Sequence, residues 1–130
     1  MDILLVDDDP HLTMLLKMKF EDKGDHLEVA YNGYDGADLA LKEAFDAIIL
    51  DLMLPGMNGR SVCSQLREKG IKVPILLISS LDSRQEKQAS IHAGANDYLA
   101  KPVPFEYLYE TIVSLVLKHQ NHPPDDAMNN

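Results

Sequence analysis

Residues 46–52 read DAIILDL, and their apolar side chains fall on successive positions. A strand points successive side chains to opposite faces, so a run of this kind needs both faces of its sheet covered. Ile3-Leu4-Leu5-Val6 and VPILLIS (73–79) are further apolar runs, and HLEVA (26–30) and DYLA (97–100) read as shorter strands.

Helical spacing fills the intervals. Leu12, Leu15, Leu16, Met18 and Phe20 mark a first helix, with Asp9 as N-cap, Pro10 as its first residue and Gly24 as its stop. Ala37, Leu39, Ala40, Leu41 and Ala44 mark a second. PGMNG (55–59) is a turn into a third, from Asn58 to Lys69, which Gly70 stops. Ser83 and Glu86 form a capping box for a fourth helix that ends near Gly94. Pro104 opens a fifth, carrying Phe105, Leu108, Ile112, Leu115 and Val116. Strict strand–helix alternation predicts an α/β fold, a parallel sheet with helices on both faces. Residues 1–120 are expected to form one domain, and 121–130, polar and proline-containing, a tail or the start of a linker.

The chain has 130 residues with formal net charge −9. That balance, without a basic cluster, argues against direct nucleic-acid binding and favours cations or basic protein partners. No apolar run approaches the roughly 20 residues of a membrane span. The first strand begins at Asp2, so no secretory signal is expected. Cys63 is the sole cysteine and fits a reducing, cytoplasmic setting. The five histidines lack ligand spacing, and no dinucleotide fingerprint follows the first strand.

Solubility does not explain LLVDDDP, where an apolar run ends in three acids. Open α/β sheets carry their sites beyond the carboxyl ends of the strands. Asp7 and Asp8 follow the first strand, Asp51 ends the third, Ser79 and Ser80 end the fourth and Lys101 follows the fifth. All therefore leave one edge of the sheet. Carboxylates in one crevice repel each other, and a divalent cation, Mg²⁺ above all, relieves that conflict. Lys101 offers a point charge for an anion and Ser79 a donor to it. Carboxylate, metal, lysine and hydroxyl together suit phosphoryl transfer with a carboxylate as nucleophile.

With LLVDDDP, AIILDLMLPGMNG, VPILLISS and GANDYLAKP in this order, the chain resembles the receiver domain of bacterial two-component response regulators over about residues 2–119. It is similar to the single-domain chemotaxis-type regulators. The resemblance implies a flavodoxin-like (βα)5 fold with strand order 2-1-3-4-5. It implies Asp51 as phospho-acceptor and metal ligand, Asp8 as a direct Mg²⁺ ligand, Asp7 as a ligand through water and the backbone carbonyl of Met53 as a further one, with Mn²⁺ as an alternative ion. It gives Lys101 the phosphoryl group to contact, Ser79 the part of switch hydroxyl, and Tyr98 that of an aromatic ring turning inward. It also implies a cis Lys101–Pro102 bond.

A sensor histidine kinase or histidine phosphotransfer protein would be the donor. A downstream protein or a C-terminal output domain would read the α4-β5-α5 surface, with phosphorylation-linked homodimerisation as one mode. The domain would catalyse only its own phosphorylation and dephosphorylation. Two other classes are weighed: a scaffold with this fold that ignores phosphorylation has no need of Asp8, Asp51 and Lys101, and a small-molecule phosphatase would need a substrate-covering insertion that the sequence lacks.

Overall fold

A computed structural model describes residues 1–81 and 84–121. Among them, strands and helices alternate as β1 (Asp2–Val6), α1 (Pro10–Asp22), β2 (His26–Ala30), α2 (Gly33–Lys42), β3 (Ala47–Asp51), α3 (Gly59–Glu68), β4 (Ile75–Ser79), α4 (Arg84–His92), β5 (Asp97–Ala100) and α5 (Phe105–Asn121). The strands form one parallel sheet in the order β2-β1-β3-β4-β5. This is the α/β architecture and the strand order expected.

The successive apolar positions are shared between two cores. Leu4, Val6, Ile48, Leu50, Ile75 and Leu77 pack with α2 and α3, whereas Ile3, Leu5, Ile49, Leu76 and Ile78 pack with α1 and α5. Each such side chain contributes about 1.5–3 kcal/mol by leaving water, which makes the central strands the rigid base of the edge above them.

Several ends differ from the sequence expectation for local reasons. β4 starts at Ile75 rather than Val73, because Pro74 has no N–H to give the ladder, although its carbonyl accepts from Ile48 N–H at 2.9 Å. Pro104 lies just outside α5 and supplies the first helical acceptor, to Leu108 N–H at 3.0 Å. α2 starts at Gly33, capped by Asn32, whose side chain accepts from Asp35 N–H at 2.8 Å, and it ends before Ala44. On α1 the buried side chains are Thr13, Leu16 and Phe20, while Leu15 and Met18 are 48% and 59% exposed. The helix carries more apolar residues than the one stripe facing the sheet can bury. α5 runs to Asn121, one residue past the expected domain limit. Ser83 of the capping box and the tail from 122 onward lie outside the described residues. Among the described residues no helix is long and apolar enough to cross a membrane.

Candidate functional site

Strand register assembles the polar edge. Val6 pairs with Leu50, so the next residues, Asp7 and Asp51, stand at the same level on neighbouring strands. Asp51 pairs with Ile78 and Ser79 with Ala100, which sets Ser79 and Lys101 on successive steps away from the acids. The order of strands reverses between β1 and β3, the point at which such sheets open a crevice.

Side chains from Asp7, Asp8 and Asp51 converge there, with one carboxylate oxygen of each within 4.8 Å of the others. Asp7 and Asp51 are buried and Asp8 is exposed. Lys101 reaches between the two buried acids: its Nζ donates to Asp7 Oδ2 at 2.9 Å and to Asp51 Oδ2 at 3.2 Å. The remaining oxygens are held by loop amides. Asp7 Oδ1 accepts from Asp9 N–H at 2.9 Å, and Asp51 Oδ1 from Met53 N–H at 3.2 Å. Each acid is thus oriented from two sides.

The electrostatics follow from this packing. Burial pushes the Asp51 carboxyl up; Lys101 and the Met53 amide pull it down, Asp7 pushes it up again, and the net direction is upward. Burial pulls the Lys101 ammonium down, but its hydrogen bond to Asp7 and the charges of both acids outweigh that, and it ends above its ordinary value. A tight group of carboxylate oxygens, one of them solvent-facing, is a donor set that fits a hard divalent cation.

Asp9 stands apart from its two neighbours. Its Oδ1 accepts from His11 N–H at 2.9 Å and Leu12 N–H at 3.2 Å, so it caps α1 as its position before Pro10 predicts. Met53 leaves its side chain 59% exposed beside Asp51. The Lys101–Pro102 bond is cis. Cys63 is fully buried, and burial pushes its thiol up, in keeping with a core residue.

Ser79 and Tyr98 are buried, and the backbone of one residue, Leu81, meets both. Leu81 N–H donates to Ser79 Oγ at 3.1 Å, while the Leu81 carbonyl accepts from the Tyr98 hydroxyl. Tyr98 therefore already lies inward here. The part played by the Leu81 backbone has no signature in sequence, since any residue but proline brings the same N–H and C=O.

Residues 3–113 match the family described as the response regulator receiver domain. Response regulator MprA of Mycobacterium avium (strain 104) is 38% identical over 127 residues, covering 98% of this chain and 55% of the relative. This chain thus spans little more than half the length of that curated relative. The receiver domain of the Francisella response regulator 1452 superposes with a TM-score of 0.87 at 32% identity, covering 90% of this chain and 97% of the other. The CheY-like receiver domain protein of Methanospirillum hungatei JF-1 gives 0.88 at 26% identity, covering 93% and 97%.

Proposed function

Because this chain belongs to the response regulator receiver domain family, we propose that it is a Mg²⁺-dependent, phosphorylation-operated switch with Asp51 as the acceptor. The observation that carries the reading is the placement of the Lys101 ammonium between Asp7 and Asp51, at 2.9 and 3.2 Å, beside the exposed Asp8. A structural lysine needs one acid. Two buried acids around one lysine, with a third facing solvent, suit a site built to receive more charge.

In this reading an Asp51 carboxylate oxygen forms a P–O bond to the phosphorus of a phosphohistidine as the P–N bond breaks, and the bonding pair stays on the donor imidazole nitrogen. Asp8 would ligate Mg²⁺ directly, Asp7 through water and Met53 through its carbonyl. Mg²⁺, when bound, supplies neutralisation of the charge on the transferred oxygens. Lys101 exchanges part of its contact with Asp51 for a phosphoryl oxygen. Ser79 Oγ already accepts from Leu81 N–H, and its own proton is left to donate to another phosphoryl oxygen. The change then passes through Leu81 to Tyr98 and to the surface formed by α4, β5 and α5. The exposed Met53 and Leu81 side chains flank the site and regulate the access of water to the acyl phosphate. A sensor histidine kinase or a histidine phosphotransfer protein is the proposed donor, and a downstream protein or output domain the reader.

The test is incubation with Mg²⁺ and acetyl phosphate, followed by intact mass. One phosphoryl group is expected, absent with chelator and absent in Asp51→Asn. An adduct that persists in Asp51→Asn would move the acceptor elsewhere, and failure to load from both acetyl phosphate and a phosphohistidine donor would end the switch reading.

A further inference from the structure

The hold on α4 differs from that on its neighbours. Whereas α3 buries Val62, Cys63 and Leu66, and α5 buries Leu108, Ile112 and Val116, the one buried side chain of α4 is Ser90. Among the described residues its Oγ finds no hydrogen-bond partner. Helices in proteins are fixed chiefly by their buried apolar face, so α4 depends on polar tethers instead.

Among the described residues those tethers are unequal at its two ends. Beyond the C-terminal end, Arg67 of α3 donates from Nε to Gly94 O at 3.0 Å and from Nη2 to Asn96 Oδ1 at 2.8 Å. Its Nη1 bonds Ile71 O and Val73 O at 2.9 and 2.8 Å. Asn96 in turn accepts from Ile75 N–H at 2.9 Å and donates its own N–H to Ile75 O at 2.8 Å. A cation beside the last carbonyls of a helix is favourable, and here it ties the end of α3, the start of β4 and the turn after α4 into one body. Gly94, at φ +114°, brings that turn so close that an added Cβ would lie 2.6 Å from Arg67 Cγ.

At the first turn of α4, Arg60 Nη1 of α3 lies 3.2 Å from Glu86 Oε2, with the two side chains 35% and 26% exposed. Partly solvated pairs of this kind are weak beside a half-buried guanidinium with four hydrogen bonds. A helix fixed at one end and lightly held at the other turns about the fixed end. The lightly held end begins three residues after Leu81, whose N–H meets Ser79 and whose carbonyl meets Tyr98.

We propose that the Arg60–Glu86 ion pair is a latch on the first turn of α4, and that both are positioning residues which keep Leu81 where it can hold Ser79 and Tyr98. Its meaning for signalling rests on the switch reading above. The latch itself operates in the unphosphorylated protein.

The test is fluorine NMR of the full chain carrying 3-fluorotyrosine, with Tyr98 assigned through Tyr98→Phe. Wild type, Arg60→Gln, Glu86→Gln and the double variant are compared without phosphodonor. Each single substitution is expected to raise the outward Tyr98 population about two- to five-fold. The double variant should go no further than the larger single effect, because both remove the same contact. An unchanged Tyr98 signal in the single variants overturns the latch, and so do additive effects in the double variant. Intact mass after acetyl phosphate treatment of the same wild-type sample judges the switch reading separately.

Discussion

Lys101→Met keeps the side-chain stem and removes the charge between Asp7, which is fully buried, and Asp51, which is 6% exposed. Removing one member of a buried ion pair costs about 3–5 kcal/mol. Protonation sets a ceiling on that cost. Taking up a proton at pH 7, about 3 units above the ordinary carboxyl value of 3.8, costs about 4 kcal/mol at 1.36 kcal/mol per unit. The destabilisation expected at pH 7 is therefore about 3–4 kcal/mol, a large part of the about 5–15 kcal/mol that holds a domain together.

At pH 5 the same ceiling is only about 2 kcal/mol. The folded pKa of Lys101 is raised, so its contribution is complete below its ordinary 10.5 and is lost only as the pH rises through the higher folded value. Between pH 5 and 7 it is constant. The Asp51 carboxyl is raised as well, and loss of the ammonium raises it further, so the variant loses stability as the pH climbs from 3.8 through that folded value. The gap between the two proteins must widen with pH. Urea unfolding of both at pH 5, 6 and 7, with chelator present, measures it. A gap that is flat across this range, or smaller than about 1 kcal/mol at pH 7, would refute the view that two buried acids share one cation here.

Two other substitutions probe the frame around the site. In Gly33→Ala, the new Cβ would lie 2.2 Å from the Met57 carbonyl oxygen in the loop between β3 and α3. A loss of about 1–3 kcal/mol is expected, read as a lower urea midpoint, and an unchanged midpoint would show that this loop yields freely. Asp9→Ala should cost about 1 kcal/mol through the lost cap and still accept a phosphoryl group. Loss of the mass adduct in that variant would mean that the three acids do not divide their tasks as described.

The parallel sheet was legible because its determinant is local. Runs such as AIIL at 47–50 have no polar face, and only a doubly covered strand accepts them. The site was legible for a related reason: Asp7, Asp51, Ser79 and Lys101 all fall at strand ends, and a parallel sheet brings every such end to one edge. What the sequence left open depends on distance and on backbone. The choice of Thr13 over Leu15 for burial on α1 follows from the rotation of that helix against the sheet. The Leu81 backbone contacts and the Arg67 carbonyl cage are made with main-chain groups that nearly every residue carries, so residue identity does not announce them.

The Lys101 contacts also bear on the time at which the domain can become active. Lys101 meets Asp7 across 94 residues of chain and Asp51 across 50. Closing loops of that length is entropically opposed until the intervening strands have paired, which makes these contacts late events in folding. The acids at 7, 8 and 51 leave the ribosome well before Lys101 does. A nascent chain that ends before β5 carries Asp51 without Lys101. On the proposed switch reading, competence to accept a phosphoryl group is thereby tied to completion of the whole sheet.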